Sequence, residues 1–171
     1  MKQILLLRHA KSSWEDGNLD DFERPLAKRG LRDAPVMGRF VRKSGHKPDQ
    51  IFSSSAQRAK ETIELAVKGM KVDEEIIMWN RDLYYGSETS YLEAIRSAAE
   101  KSERIMLVGH NPKIENTVGA LIGTGGVANL RMPTAALVCL NTYTSNWDGV
   151  NWGSCELAWM MIPKALKHIY D

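Results

Sequence analysis

The sequence predicts a three-layer α/β/α sandwich built on a mostly parallel central sheet. Short aliphatic runs recur along the chain and stop abruptly at polar residues, as strands buried on both faces of a sheet do. Amphipathic stretches of helical period alternate with those runs, the pattern of strand–helix–strand units. The 171 residues, 43% hydrophobic and 26% charged, suit one compact domain spanning the whole chain and are too apolar for disorder.

The elements follow in order. Residues 4–7, ILLL, make a strand that delivers Arg8 and His9 at its carboxyl end. A loop rich in Asp, Gly and Asn comes next. The stretch LAKRGLRDAPVMGRFVRKSG reads as a helix whose apolar side is Leu31, Ala34, Val36, Met37, Phe40 and Val41. The breaker cluster SGHKPD precedes a second strand at 50–54 and a helix at 56–69. Residues 75–79 are expected as a third strand, and the apolar spacing of 91–101 predicts a helix capped by Ser90 or Thr89. A fourth strand at 104–108 ends at Gly109-His110. Pro112 then suits the first turn of a helix over 112–122, which ends in GTGG. The runs 135–142 and 154–162 read as strands joined by a turn holding Asn146, Asp148, Gly149 and Gly153.

Composition narrows the function classes. A formal charge of +2 is too small to imply a nucleic-acid partner. The longest apolar runs hold six residues each, far below the roughly 18 that cross a bilayer, and the start lacks a secretory hydrophobic region. A cytoplasmic protein with no membrane partner is expected. Cys139 and Cys155 are expected as buried free thiols: they are too few for a zinc framework, and neither is followed six residues later by arginine, so a C-x5-R thiolate phosphatase is excluded.

Charge is uneven, however. Glu15, Asp16, Asp20, Asp21 and Glu23 come with no base among them. Residues 24–47 then hold eight bases against the single acid Asp33. The basic helix reads as a solvated face, with docking of an anionic or protein substrate as the alternative. His46 and His168 read as surface residues, Trp147 and Trp152 as partly exposed at a turn, and Met70, Met78, Met106, Met160 and Met161 as packing residues.

In open α/β sheets, ligands bind at the carboxyl ends of strands. Three such ends carry polar residues here: Arg8-His9, Ser53-Ser54-Ser55 leading to Arg58, and His110-Asn111. Two fixed cations and two imidazoles, with helices starting just past Ser55 and Asn111, suit a tetrahedral anion. A neutral imidazole is a good nucleophile near pH 7 and forms a labile phosphoramidate. Guanidinium forks supply charge-assisted bonds to the nonbridging oxygens of a phosphoryl group. The chain has no GxxxxGK loop and no dense carboxylate cluster for magnesium, so no metal or other cofactor is expected.

The segment LLLRHAKSSW resembles the signature of the histidine phosphatase superfamily, with Ala10 in the place usually taken by glycine. SSSAQRAKETIELA is similar to its second arginine motif, LVGHNP to its second histidine motif, and RPLAKRGLRDA to its usual helix opening. The length matches the small SixA-type phosphohistidine phosphatases. The resemblance implies a phosphoglycerate mutase-like fold with minimal or no cap and a catalytic set of His9, Arg8, Arg58 and His110. His9 would be the phosphorylated nucleophile, Arg8 and Arg58 would bind phosphoryl oxygens, and His110 would be the second imidazole at the phosphoryl group. Ser12 and the Asn111 backbone are further substrate-binding candidates. Trp14 and Thr134 are candidates to line the pocket, and Lys11 either borders it or points to solvent.

Larger relatives carry a glutamate proton donor after the third strand. The corresponding stretch RDLYYGSETSYLEAI lacks that context, and Glu88 is the nearest candidate. The expected activity is therefore metal-independent phosphatase action through a phosphohistidine on His9, on protein phosphohistidine, whose leaving imidazole needs no strong acid. Short connections leave no room for a lid, which favours a phosphorylated protein over a small phosphorylated substrate. The alternatives are a small-molecule phosphatase or mutase, and a catalytically idle phosphoprotein-binding module.

Overall fold

The structure, a computed structural model, describes residues 1–124 and 130–167. His168 and the second half of the GTGG segment lie outside the described residues. The strands are β1 (Lys2–Arg8), β2 (Gln50–Ser54), β3 (Ile77–Asn80), β4 (Arg104–Gly109), β5 (Leu137–Thr142) and β6 (Cys155–Met161). The helices are α1 (Lys28–Lys43), α2 (Gln57–Met70), α3 (Asp82–Tyr85), α4 (Glu88–Arg96), α5 (Lys113–Leu121) and α6 (Pro163–Leu166). The sheet order is β3-β2-β4-β1-β5-β6, with β3, β2, β4 and β1 parallel and β5 antiparallel to both β1 and β6.

The period of two in β1 explains the three layers. Ile4 and Leu6 face one side, where Tyr91, Leu92 and Ile95 of α4 and Ile114, Val118 and Leu121 of α5 close over them. Leu5 and Leu7 face the other, against Ala34, Met37 and Val41 of α1 and Ile63, Ala66, Val67 and Met70 of α2. Every one of these side chains is below 5% exposed. α1 and α2 touch backbone to backbone: a Cβ on Gly38 would stand 2.1 Å from the Ala66 carbonyl oxygen, so only glycine fits there. Among the described residues no helix is long and apolar enough to cross a membrane. Cys139 and Cys155 are buried free thiols, as expected.

Several expectations need correction. α4 starts at Glu88 rather than Tyr91, because Ser87 is the cap and its hydroxyl accepts from the Thr89 N–H at 3.3 Å. Residues Glu74–Ile76 form a 3₁₀ turn, and the third strand begins only at Ile77. Trp147 is 1% exposed: its indole N–H donates to the Ser102 carbonyl at 3.0 Å, and the Lys2 ammonium lies over the ring. Leu31 is exposed on α1, outside the stripe that meets α2. Met78 and Met160 are exposed because β3 and β6 are the edge strands of the sheet.

Candidate active site

Register builds the site. β1 and β4 pair with Arg8 opposite Gly109, so the next residues, His9 and His110, leave the sheet side by side. Neighbouring strands lie about 4.8 Å apart, and the two imidazole centroids are 5.0 Å apart. β2 flanks β4 on its other side and brings Ser54 within 2.7 Å of His110 Nε2. Arg58 sits in the first turn of α2, which starts just beyond the end of β2. Its guanidinium thus reaches the same corner.

The His9 ring has one orientation and one tautomer. Nδ1 lies 2.7 Å from the Ala10 carbonyl oxygen and donates to it, which leaves the lone pair on Nε2. Ala10 is fully buried and its own N–H donates to Thr62 Oγ1 at 2.9 Å, so the accepting carbonyl is itself fixed. Burial pushes the His9 pKa down to about 3, against the opposing pull of the Ala10 carbonyl and with help from Arg58, Arg8 and Arg24. The ring is neutral at physiological pH, the form in which a nitrogen attacks.

His110 complements it. Ser54 Oγ accepts from the Ala56 N–H at 3.3 Å and lies 2.7 Å from His110 Nε2; the tautomer in which the Ser54 hydroxyl donates to Nε2 carries the imidazole proton on Nδ1. That Nδ1 is buried and unpartnered, as is Arg8 Nε. Two unsatisfied buried donors beside a nucleophile are the arrangement an oxyanion would satisfy. Burial, then His9, Arg58 and Lys113, push the His110 pKa down to about 2. The Tyr91 hydroxyl accepts from the His110 N–H at 3.1 Å and donates to the Leu83 carbonyl, which anchors the backbone of this segment.

The cleft at His9 has a volume of about 260 Å³ and is lined by Arg8, Lys11, Ser12, Trp14, Arg24, Arg58 and Thr134. Lys11 therefore borders it, and so do Trp14 and Thr134. The Ser12 hydroxyl is buried and accepts from Arg24 at 2.8 Å. Asn111 stands apart from the lining: its amide nitrogen donates to Glu115 at 2.6 Å and to the Met132 carbonyl, which also accepts from Arg8 at 2.6 Å. Glu88, half-buried at the start of α4, accepts from Asn116 at 2.8 Å and does not line the cleft.

Sequence reading missed the residue that organises the cations. Asp21, in the 3₁₀ turn Asp21–Glu23, accepts from Arg58 and Tyr84 on Oδ2 at 2.8 and 2.7 Å and from Arg24 on Oδ1 at 2.7 Å. Its backbone carbonyl takes a further Arg58 bond. Burial would raise its pKa, but the Tyr84, Arg58 and Arg24 bonds hold it down at about 2. The acidic stretch at 15–23 is thus partly a counterion to the arginines. The available signal was its position between the Arg-His pair and Arg24.

A family model for the histidine phosphatase superfamily (branch 1) matches residues 4–87, the segment holding Arg8, His9 and Arg58. An uncharacterised chloroplastic protein of Arabidopsis thaliana is 30% identical over 155 residues, covering 86% of this chain and 69% of its own. The chain belongs to the histidine phosphatase superfamily. Among solved structures, a candidate phosphohistidine phosphatase, SixA, from Agrobacterium tumefaciens superposes with a TM-score of 0.79 at 27% identity, over 95% of this chain and 98% of that one. The fold also matches that of the protein histidine phosphatase SixA complexed with tungstate, with a TM-score of 0.79 at 20% identity over 96% and 99% of the two chains. Superfamily membership and these neighbours support phosphatase activity.

Two expected results follow from the electrostatics of this histidine phosphatase. Asp21 already occupies the outward nitrogens of Arg58, so Asp21→Asn should lower the inhibition constant for orthophosphate or tungstate roughly three- to tenfold, by removing an anion that a ligand must displace. Inhibition assays check the direction. The second concerns acid. Between pH 6.5 and about 3 the unfolded chain protonates His9 and His110 while the folded chain refuses those protons, so stability falls as pH falls. The slope should approach about 1.4 kcal/mol per pH unit for each histidine. The Asp21 contribution, complete above pH 3.8, is lost toward pH 2. Denaturant titrations at pH 4 to 7 measure the slope, and it should shrink in His9→Ala.

Proposed function

We propose that this protein is a metal-independent phosphohistidine phosphatase of the cytosol, acting on phosphorylated proteins through a covalent phosphohistidine on His9. The observation that carries the reading is the His9 tautomer: the 2.7 Å bond from Nδ1–H to the Ala10 carbonyl fixes an Nε2 lone pair in a buried, cation-lined cleft. In the first step Nε2 attacks phosphorus while the substrate P–N bond breaks. The bonding pair goes to the leaving nitrogen, and a substrate imidazole protonated on its other nitrogen departs neutral. The oxygen of a water then attacks the phosphorus as the P–N bond to His9 breaks; the bonding pair returns to Nε2 as its lone pair, and the water protons leave with the orthophosphate and to solvent. We assign the nonbridging oxygens to Arg8 and Arg58, which line the cleft, and to His110, whose ring centroid is 5.0 Å from that of His9.

Substrate class rests on two further features. Glu88, the candidate donor, is engaged by Asn116 and stands outside the cleft lining, and Asp21, the carboxyl group on the cleft arginines, is held ionised at a pKa of about 2, so among the described residues an alkoxide leaving group finds no protonated carboxyl group there. The cleft, about 260 Å³ with the exposed Trp14 at its rim, suits a side chain presented by another protein. The tungstate bound by one of the fold neighbours is a tetrahedral oxyanion of the kind these cations would hold.

The test compares initial rates on a phosphohistidine-bearing protein with those on a panel of phosphate monoesters, with and without EDTA. Faster turnover of the phosphohistidine protein, an acid-labile and base-stable phosphoenzyme, and indifference to EDTA are expected. Glu88→Gln should change the phosphohistidine rate by less than about twofold. Preference for a small monoester, with a large loss in Glu88→Gln, would overturn the reading.

A further inference from the structure

The cleft does not end at the nucleophile. Thr134 lines it and also lines an adjoining depression of about 260 Å³ that runs between α1 and α6 past Lys164 and Lys167. Pro163 and Lys167 in turn line a groove of about 480 Å³ that continues along α1 past Arg32 and Arg39. Three depressions therefore follow one another in a track from His9 along the basic helix, each sharing lining residues with the next, with the Arg29 bond to Thr134 Oγ1 at 2.8 Å at the first junction. At about 1.5 Å per helical residue the stretch Arg29 to Arg39 that lines the track is about 15 Å long, a distance that an extended chain of about five residues spans.

The track has an apolar floor and basic walls. Pro35, Val36 and Leu166 contribute to the floor, while five bases, Arg29 and Arg32 with Arg39, Lys164 and Lys167, line the two depressions. Among the described lining residues the one acid is Asp33, which is buried and already faces two guanidinium groups, Arg29 at 3.7 Å and Arg32 at 3.6 Å. The arginine side chains remain 55% and 61% exposed, and Lys164 and Lys167 are exposed as well. A merely solvated helix face needs neither the groove nor its adjacency to the cleft at His9.

We propose that this track docks an acidic, extended segment of the phosphorylated protein substrate, holding it while the phosphorylated side chain enters the cleft at His9. The proposal deepens the reading of the cleft as a protein phosphatase site and rests on it for its purpose. A short acidic peptide fits better than a nucleic acid. Net charge is only +2, and the acidic residues 15–23 meet the same cleft through Asp21, so a long polyanion would run from an attractive wall onto a repulsive one. Short-range complementarity of this kind acts on capture of the substrate and is screened by salt.

The experiment uses the full chain and two variants, Lys164→Glu/Lys167→Glu and Arg39→Glu, none of which touches the residues placed at the phosphoryl group. The binding probe is a fluorescent decapeptide rich in Glu and Asp and carrying no phosphate. Wild type should bind it at low salt, the double variant at least roughly tenfold more weakly, and about 0.5 M salt should abolish the difference. Hydrolysis of phosphoramidate, a small substrate that cannot reach the track, should be the same in all three proteins, which shows that the variants are folded and active. On a phosphohistidine-bearing acidic protein, KM should rise in the variants with kcat unchanged. Equal peptide binding by wild type and variants overturns the proposal, as does a single-stranded oligonucleotide that binds wild type more tightly than the peptide and is released by the same substitutions. A wild type that leaves protein phosphohistidine intact refutes the substrate reading alone, since peptide binding is read without turnover.

Discussion

His9→Ala should abolish turnover of a phosphohistidine protein, with kcat falling by roughly 10⁴-fold or more and no trappable phosphoenzyme. The argument is one of roles. Nε2 of His9 is the ring nitrogen left free by the Ala10 bond, while His110 has Nε2 bonded to Ser54 at 2.7 Å and its other nitrogen, Nδ1, buried. The second imidazole thus has one nitrogen engaged and the other buried, and neither is free to take over as nucleophile. Oxyanion binding should survive within about tenfold, because Arg8 and Arg58 remain. Rapid-quench trapping alongside tungstate binding separates the two effects. Turnover within tenfold of wild type would remove His9 from the covalent step.

Arg58→Ala is expected to cost roughly 10²- to 10⁴-fold in kcat/KM, and Arg58→Lys should recover little of it. Both Nη atoms of Arg58 are engaged by Asp21 in the structure, a planar fork geometry that an ammonium cannot reproduce. The loss should fall mainly on kcat if the fork binds the transferring phosphoryl group more strongly in the transition state than in the ground state. Removing the cation leaves Asp21 with Tyr84 and Arg24 as its remaining partners, so Arg58→Ala should be modestly destabilised, and Arg58→Ala/Asp21→Asn should regain no rate. Steady-state kinetics and denaturation of the three variants check both halves.

Much of this was legible in the sequence because it is local. A strand buried on both faces announces itself as ILLL, and the residue after it must emerge at the sheet's carboxyl edge. Applied to three strands, that rule finds His9, His110 and the approach to Arg58. Pairing of β1 with β4 then needs only the register to bring two histidines together. The Asp21 network was not legible, since its bonds reach 37 residues to Arg58 and 63 to Tyr84, and an acidic loop looks solvated until its partners are known. Trp147 misled for a related reason. Its neighbours in sequence are turn formers, whereas its burial comes from Ser102 and Lys2, far away along the chain. The start of α4 moved because Ser87, Thr89 and Ser90 all make acceptable caps, and only the fold selects among them.

Trp14 offers a practical return from this architecture. Its indole is 72% exposed at the cleft, with the Arg24 guanidinium carbon 3.2 Å from the ring centroid. Arg24 is tied in turn to Ser12 and Asp21. A ligand that pulls on the arginines must shift the cation lying over that chromophore. Occupancy at the centre is therefore coupled to intrinsic emission, giving a label-free optical titration within the native chain.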